Sequence, residues 1–179
     1  DGLRAVAAES FLRPFKEGLP LPPRPFLVSL ATAERAFVER VAVALHLANH
    51  GHVGVEGVDH MLGLGSAFGA PDEAAVAVAG HLASAPSPSR LVCSLRATAG
   101  LGISDLAALA QALRGRKIAF ALTGAAGEQP PLDTIRDTVP DIVRIDGVWF
   151  RQVAASESAL RLLTSLVAAF QEHGSEVLV

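Results

Sequence analysis

The sequence predicts an α/β fold with a parallel sheet, arranged as a (β/α)8 TIM-like barrel that lacks its last strand. Two apolar runs, Lys117–Leu122 and Ile142–Ile145, are too short for buried helices and rich in β-favouring residues. Continuous apolar runs of this length are typical of strands covered on both faces. Predicted strands and helices alternate along the whole chain. An open doubly wound sheet is the competing arrangement, although no G-x-G-x-x-G follows any predicted strand.

The first half of the chain contains three strand candidates and one long helix. Phe11–Phe15 is predicted to be an edge strand, because Pro14 cannot donate to a strand ladder. Gly18–Pro25 is rich in proline and predicts a turn. Ala33–Asn49 has apolar residues at three- and four-residue steps, which predicts an amphipathic helix ended by Asn49-His50-Gly51. The remaining predicted elements of this half are a helical lead-in at Gly2–Glu9 and strands at Phe26–Leu30 and His52–Val58.

The second half is predicted to alternate more regularly. Asp72 and Glu73 open a helix that runs to about Ser84, since acidic residues stabilise a helix amino terminus. Ser104–Gly115 is a helix with Leu106, Leu109, Ala110 and Leu113 on one face. The other predicted elements are strands at Arg90–Leu95 and Glu176–Val179 and a helix at Ser156–Gly174, with Leu160, Leu163, Val167 and Phe170 inward.

Composition limits the class of protein. The chain has 179 residues, 50% of them hydrophobic, and a net charge of -3, which fits one domain with a sizeable core and gives no reason to expect a nucleic-acid partner. The single Cys93 lies in an apolar run and is predicted to be a core residue. No stretch has the length of a membrane helix and no signal peptide is visible. We therefore expect a cytoplasmic domain without membrane contact, spanning residues 1–179 as a fragment of a longer protein.

Three segments carry distinctive motifs: RKIAFALTGAAG at Arg116–Gly127, DIVRIDGVWF at Asp141–Phe150 and FLRPF at Phe11–Phe15. Together they resemble the EAL family, the cyclic di-GMP phosphodiesterase domains of bacteria. Arg116–Gly127, RKIAFALTGAAG, is similar to a family strand that reads roughly RIALDDFGTG. Asp141–Phe150, DIVRIDGVWF, is similar to the family's DxLKID..F. Glu172–Val179 leads toward the family's AEGVE strand, and Phe11–Phe15 resembles its first strand, xxQPI. The resemblance implies a barrel of EAL type, in which the helical lobe after the second strand is shortened here.

The departures from the family pattern fall on the residues that the resemblance assigns to chemistry. That chemistry needs carboxylates at the carboxyl ends of strands, because hard divalent cations prefer oxygen ligands. Here Ala121 and Leu122 replace the Asp pair, Ser94 replaces a Glu, and Phe26–Val28 replaces Glu-Ala-Leu. The remaining family positions fall on Arg13 for Gln, near Glu56–Val58 for Asn, on Arg144 for Lys, and beyond Val179 for the last Glu.

The resemblance therefore implies a degenerate EAL domain that is not an active phosphodiesterase and needs no metal or other cofactor. One expected function is a regulatory module that binds a protein partner or a second copy of itself, with Gly124–Arg136 as the implied contact. The alternative is a receptor that binds cyclic di-GMP without hydrolysing it, through Arg13, Arg144 and Trp149. An active enzyme is a distant third.

Three further groups have both a functional and a structural interpretation. Glu56, Asp59 and His60 could bind one metal, or form a solvated turn. His46, His50 and His52 could form a surface metal site, or interact with a helix carboxyl terminus. Gly124–Gly127 could hold an anion on its backbone N–H groups, or form an ordinary loop.

Overall fold

The computed structural model describes residues 4–64, 76–80, 89–96, 102–124 and 132–179. Its strands are β1 (Ala7–Ser10), β2 (Phe15–Lys16), β3 (Leu19–Pro20), β4 (Asp59–Gly63), β5 (Leu91–Arg96), β6 (Ala119–Thr123), β7 (Ile142–Arg144) and β8 (Glu176–Leu178). Its helices are α1 (Pro23–Ser29), α2 (Thr32–Val53), α3 (helical over 76–80), α4 (Ile103–Arg114), α5 (Leu132–Thr138), α6 (Gly147–Ala154) and α7 (Glu157–Glu172).

Six strands form one sheet in the order β1-β4-β5-β6-β7-β8, and β2 pairs with β3 in a separate antiparallel hairpin. The pairs β1/β4, β5/β6, β6/β7 and β7/β8 are parallel, and helices lie between the strands in the chain. This parallel half-barrel confirms the predicted fold class. It also shows that the predicted strands at Arg90–Leu95, Lys117–Leu122, Ile142–Ile145 and Glu176–Val179 are correct to within two residues.

The chain divides into two compact units, residues 1–91 and 92–179. In the first unit β1 pairs with β4, from Ala7 opposite Asp59 to Ser10 opposite Leu62. Helix α2 contributes buried Val43, Leu47 and His50. The carboxylate of Glu34 accepts a hydrogen bond from the backbone N–H of Ala31 at 3.0 Å, which helps to fix the start of α2.

The core of the second unit lies around β6. Phe120, Ala121 and Leu122 are fully buried, as expected for a strand covered on both faces. All four predicted inward residues of α4 are buried as well, and Cys93 on β5 is a buried core residue as predicted. Asp141 joins β6 to the start of β7, because its carboxylate accepts from the N–H of Phe120 at 2.8 Å and its own N–H donates to the Phe120 carbonyl at 2.9 Å.

The predicted strand Phe26–Leu30 is wrong, because these residues lie largely in helix α1. Pro22 and Pro23 begin that helix. Proline suits the first turn, since its fixed φ is close to the helical value and the first N–H groups of a helix have no intrahelical acceptor. The apolar run PFLVS therefore continues a helix that two prolines start.

The first and third predicted strands are also misplaced. The strand near the amino terminus is Ala7–Ser10, in place of both the helical lead-in Gly2–Glu9 and the strand Phe11–Phe15. Helix α2 does not stop at Asn49-His50-Gly51 but continues to Val53, and the strand after it is Asp59–Gly63. Gly57 has a φ of 76°, a left-handed conformation that interrupts a strand. His52–Val58 is therefore a helix end and a turn.

At the carboxyl-terminal end the predicted helix Ser156–Gly174 is confirmed as α7, and the helix before it, α6, was not predicted. Helix α6 begins after Asp146, whose carboxylate accepts from the backbone N–H groups of Val148 and Trp149, both at 2.9 Å. In α7, Leu163 and Phe170 are buried as predicted, whereas Leu160 is 42% exposed.

The described part of the predicted helix at Asp72–Ser84 is helical over 76–80. None of the helices described has the length and apolarity needed to cross a bilayer.

Candidate functional site

The candidate site is the carboxyl ends of β5 to β8 in the second unit. The strand register aligns side chains there in three consecutive rows. The first row holds Ser94, Ala121, Ile142 and Glu176; the second holds Leu95, Leu122, Val143 and Val177; the third holds Arg96, Thr123, Arg144 and Leu178. Because side chains alternate along a strand, the first and third rows share one face of the sheet. In parallel α/β folds, ligands bind at these strand ends.

The first two rows bring together the positions that the EAL resemblance assigns to metal ligands. Ser94 lies directly opposite Ala121. Ala121 and Leu122 are fully buried and offer no side-chain oxygen, and Ser94 is 6% exposed. Glu176 supplies the one carboxylate of the three rows, at the amino end of the short strand β8. A pair of divalent cations normally requires several carboxylate ligands, so these rows are chemically unlike a two-metal site.

The third row is basic. Arg96 lies opposite Thr123, which in turn lies opposite Arg144. Arg96 is exposed and the other two are half-buried. The Thr123 hydroxyl donates to the Leu95 carbonyl at 3.2 Å. Two guanidinium groups on one face at the carboxyl edge can interact with phosphate or carboxylate oxygens. The sequence prediction included Arg144 but missed Arg96, since its position follows only from the strand register.

Trp149 lies in the first turn of α6, just after β7, and is half-buried. Its backbone N–H is satisfied by Asp146, so that carboxylate serves as a helix cap. Gly124 directly follows β6, and its N–H approaches the Arg144 carbonyl at 3.5 Å. The rest of the predicted anion loop, 125–127, and most of the implied contact segment Gly124–Arg136 lie outside the described residues.

Two predicted site positions lie in the first unit. Arg13 follows the carboxyl end of β1, and its guanidinium carbon lies 5.7 Å from the centre of the Phe15 ring, a cation–π contact. Phe26 is half-buried in helix α1. Because α1 replaces the predicted strand, Phe26 does not stand at a strand end, and the sequence placement of the Glu-Ala-Leu position on a strand is wrong.

The group Glu56, Asp59 and His60 does not converge. Glu56 is exposed in the turn before β4. Asp59 opens β4 and pairs with Arg90, whose Nη2 lies 2.6 Å from Asp59 Oδ2. His60 is buried and hydrogen-bonded to His50 and Ser10. Asp59 and His60 thus stand at the amino end of their strand, opposite the edge where parallel sheets bind ligands.

The group His46, His50 and His52 is likewise divided. All three lie within α2, where His50 is buried and His52 is exposed. Burial lowers the pKa of His46 and of His50, and the charge of His60 lowers both further. Throughout the part of the chain that the structure describes, no three His, Cys, Asp or Glu side chains come together as a metal site.

The parallel six-stranded sheet matches part of the barrel of solved EAL domains. The FimX EAL domain from Pseudomonas aeruginosa, solved bound to c-di-GMP, is similar over 96% of this chain and 71% of its own, with 19% identity and a TM-score of 0.78. BlrP1 of Klebsiella pneumoniae, solved with calcium and cyclic di-GMP, is similar over 87% of this chain and 40% of its own, with 16% identity and a TM-score of 0.70.

YkuI of Bacillus subtilis, a protein with an EAL domain solved with c-di-GMP and calcium, is similar over 96% of this chain and 43% of its own (16% identity, TM-score 0.74). The chain thus spans well under half of the BlrP1 and YkuI chains. It matches no protein-family model and no curated protein sequence. At these identities the comparisons establish the fold, and the chain has the fold of EAL domains.

Proposed function

We propose that this chain is a degenerate EAL-type domain, spanning residues 1–179, that lacks phosphodiesterase activity. It acts as a regulatory protein-interaction module in cyclic di-GMP signalling in the bacterial cytoplasm. The observation that carries the proposal is the composition of the strand ends. The three rows across β5 to β8 hold one carboxylate and two arginines. Such a charge pattern repels cations, and one carboxylate is too few to hold a pair of metal ions that would activate water.

Hydrolysis is the direct test of the proposed loss of activity. The purified chain is incubated with cyclic di-GMP and either Mg²⁺ or Mn²⁺, and the linear product is measured by chromatography. We expect no product above a blank without protein, because the positions opposite each other at Ser94 and Ala121 supply no carboxylate. A second sample, Arg144→Ala, should be equally inactive. Metal-dependent hydrolysis by the unmodified chain, lost in Arg144→Ala, would contradict the proposal.

Measuring dimer formation by the purified chain tests the proposed protein-interaction role. The implied contact segment ends at Arg136, whose exposed side chain pairs with Asp137 at 3.2 Å. If this segment joins two copies, sedimentation should show a concentration-dependent dimer that Arg136→Glu weakens. Arg161→Glu, on the exposed face of α7, is the matched charge reversal and should leave association unchanged.

A second candidate function is a receptor that binds cyclic di-GMP without hydrolysing it. The basic third row favours it, because Arg96 and Arg144 stand on either side of Thr123 at the strand ends. Arginine binds phosphate oxygens in a forked geometry and needs no metal to do so. The similar structures of FimX and YkuI hold this nucleotide.

Calorimetric titration separates the two functions. Saturable micromolar binding of cyclic di-GMP that Arg144→Ala weakens at least about tenfold, the effect of losing one charged hydrogen bond, would favour the receptor. Arg96→Ala should weaken it similarly, whereas Arg161→Ala, on α7, should not. No heat change and no thermal shift with the nucleotide would favour the interaction module.

A further inference from the structure

The first unit contains a buried hydrogen-bond chain that the proposed function does not use. His50 of α2 and His60 of β4 face each other with their Nδ1 atoms 2.9 Å apart. The Nε2 atom of His60 lies 2.6 Å from the Ser10 hydroxyl of β1. The chain Ser10–His60–His50, which we call the histidine network, therefore joins three elements of the first unit by side-chain hydrogen bonds.

The geometry of the histidine network requires at least one neutral imidazole. A hydrogen bond between two Nδ1 atoms needs a hydrogen on one atom and a lone pair on the other. If both histidines become imidazolium, both Nδ1 atoms carry hydrogens, so the bond is lost and like charges face each other. The rings also meet edge to face, with centroids 4.7 Å apart, so two charged rings would lie in direct contact.

The surroundings do not compensate for added charge. His50 is 1% exposed and His60 is 7% exposed, so a charged ring there loses most of its hydration. Burial lowers the pKa of both rings, and the charge of His60 lowers the pKa of His50 further. His46, one helical turn before His50, is affected by the same charge. A third potential cation thus lies beside the histidine network.

Among the described residues, no carboxylate offsets the lowered pKa of His50 or His60. On the strands, Glu9 and Asp59 immediately precede Ser10 and His60, so alternation turns them to the other face, and Asp59 is paired with Arg90. On α2, Glu39 shares the buried face with His50 but lies three turns away, about 16 Å along the axis. In β5 the charged residue is Arg96, the last residue of the strand.

We propose that the histidine network is a proton-operated conformational switch, which holds α2 against β1 and β4 at neutral pH and releases it in mild acid. A histidine whose pKa is lower in the folded chain than its ordinary 6.5 binds more protons when it is exposed. The stabilisation it gives is complete above about pH 6.5 and is lost as the pH falls toward the folded value. Release of α2 would bare the apolar face that carries Val43 and Leu47.

Native-state hydrogen exchange of the full chain tests the switch. Between about pH 7.5 and about pH 5.5, the opening constant of α2 amides, corrected for intrinsic exchange, should rise up to about tenfold per pH unit for each proton bound. Amides of β6, in the other unit, should show no such rise. A flat profile for α2, or equal rises in α2 and β6, would overturn the proposal.

A variant pair isolates the histidines. His50→Asn places an amide near the position of Nδ1, keeps one hydrogen bond and removes a titrating group, so the pH slope of α2 opening should fall by about one proton. His52→Asn, on the exposed side of the same helix, should retain the slope of the unmodified chain. Equal slopes in the two variants would contradict the proposal.

The unmodified chain gives an independent test if His50→Asn does not fold. Imidazole NMR signals of His50 and His60 should titrate below the ordinary value of 6.5 and should shift together, because they share one hydrogen. Titration of both rings at or above that value, or independent single-proton curves, would show that the histidine network does not respond to acid as proposed.

Discussion

At about pH 8 the Cys93 thiol of the folded chain should react with iodoacetamide about a thousandfold more slowly than the same thiol in the urea-unfolded chain, because the thiolate is the nucleophile. Burial raises the pKa of Cys93 from 9.0 to about 12. Near pH 8 an ordinary thiol is roughly one-tenth ionised, whereas the buried thiol is roughly one ten-thousandth ionised. Exclusion of the reagent from a fully buried site would slow the reaction further. Mass spectrometry of quenched samples measures both rates.

The matched control for thiol labelling is a chain with Cys93→Ala and Ser158→Cys. Ser158 is exposed on α7, so the introduced thiol should label at nearly the same rate in folded and unfolded chains. Folded Cys93 that labels within about tenfold of the unfolded rate would mean that β5 opens readily or that its inner face is accessible. Because Ser94 follows Cys93, that outcome would also change the environment assigned to the candidate site.

Phe170→Ala should lower the free energy of unfolding by about 3–5 kcal/mol, the usual cost of removing a buried aromatic ring. Phe170 lies on α7, and its side chain is fully buried. Its carbonyl accepts the N–H of Ser175 at 3.1 Å, at the turn into β8. The substitution keeps that backbone hydrogen bond, so the loss measures side-chain packing. Urea unfolding monitored by circular dichroism gives the difference.

Leu162→Ala on the same helix is the control for Phe170→Ala. Leu162 is 74% exposed, so its truncation should change the free energy of unfolding by about 0.5 kcal/mol or less. Phe170→Leu, which keeps most of the apolar volume, should cost less than Phe170→Ala. Similar losses for Leu162→Ala and Phe170→Ala would show that α7 does not pack through the face assigned to it.

The second unit could be predicted from sequence because its strands are continuous apolar runs. Lys117–Leu122 and Ile142–Ile145 have one plausible secondary structure at their length, and both contain a strand of the sheet. The strand register places Ser94 opposite Ala121, and the assignment of these two positions to a shared site stays a prediction. Whether those positions have lost their chemistry stays a prediction for the hydrolysis experiment.

The first unit was predicted poorly because its local patterns fit more than one structure. The run Phe26–Leu30 suits a strand or a helix, and the prolines before it decide for a helix. The alternating VGVEGV looks like a strand, but its second glycine adopts a left-handed turn conformation. The true strand, Asp59–Gly63, begins with two polar residues, and it is stable there because β1 pairs with it.

By itself, the sequence determined the fold class, the helices with a strong apolar period, and the scarcity of acidic residues on the strands that resemble a catalytic family. These features depend on the types and spacing of residues within short segments, and that spacing indicates the secondary structure. Only the tertiary structure decided that Arg96 joins Arg144 across Thr123, and that Ser10, His50 and His60 meet. Ser10 and His60 are 50 residues apart in the chain, and strand register, which no local pattern encodes, brings such distant groups together.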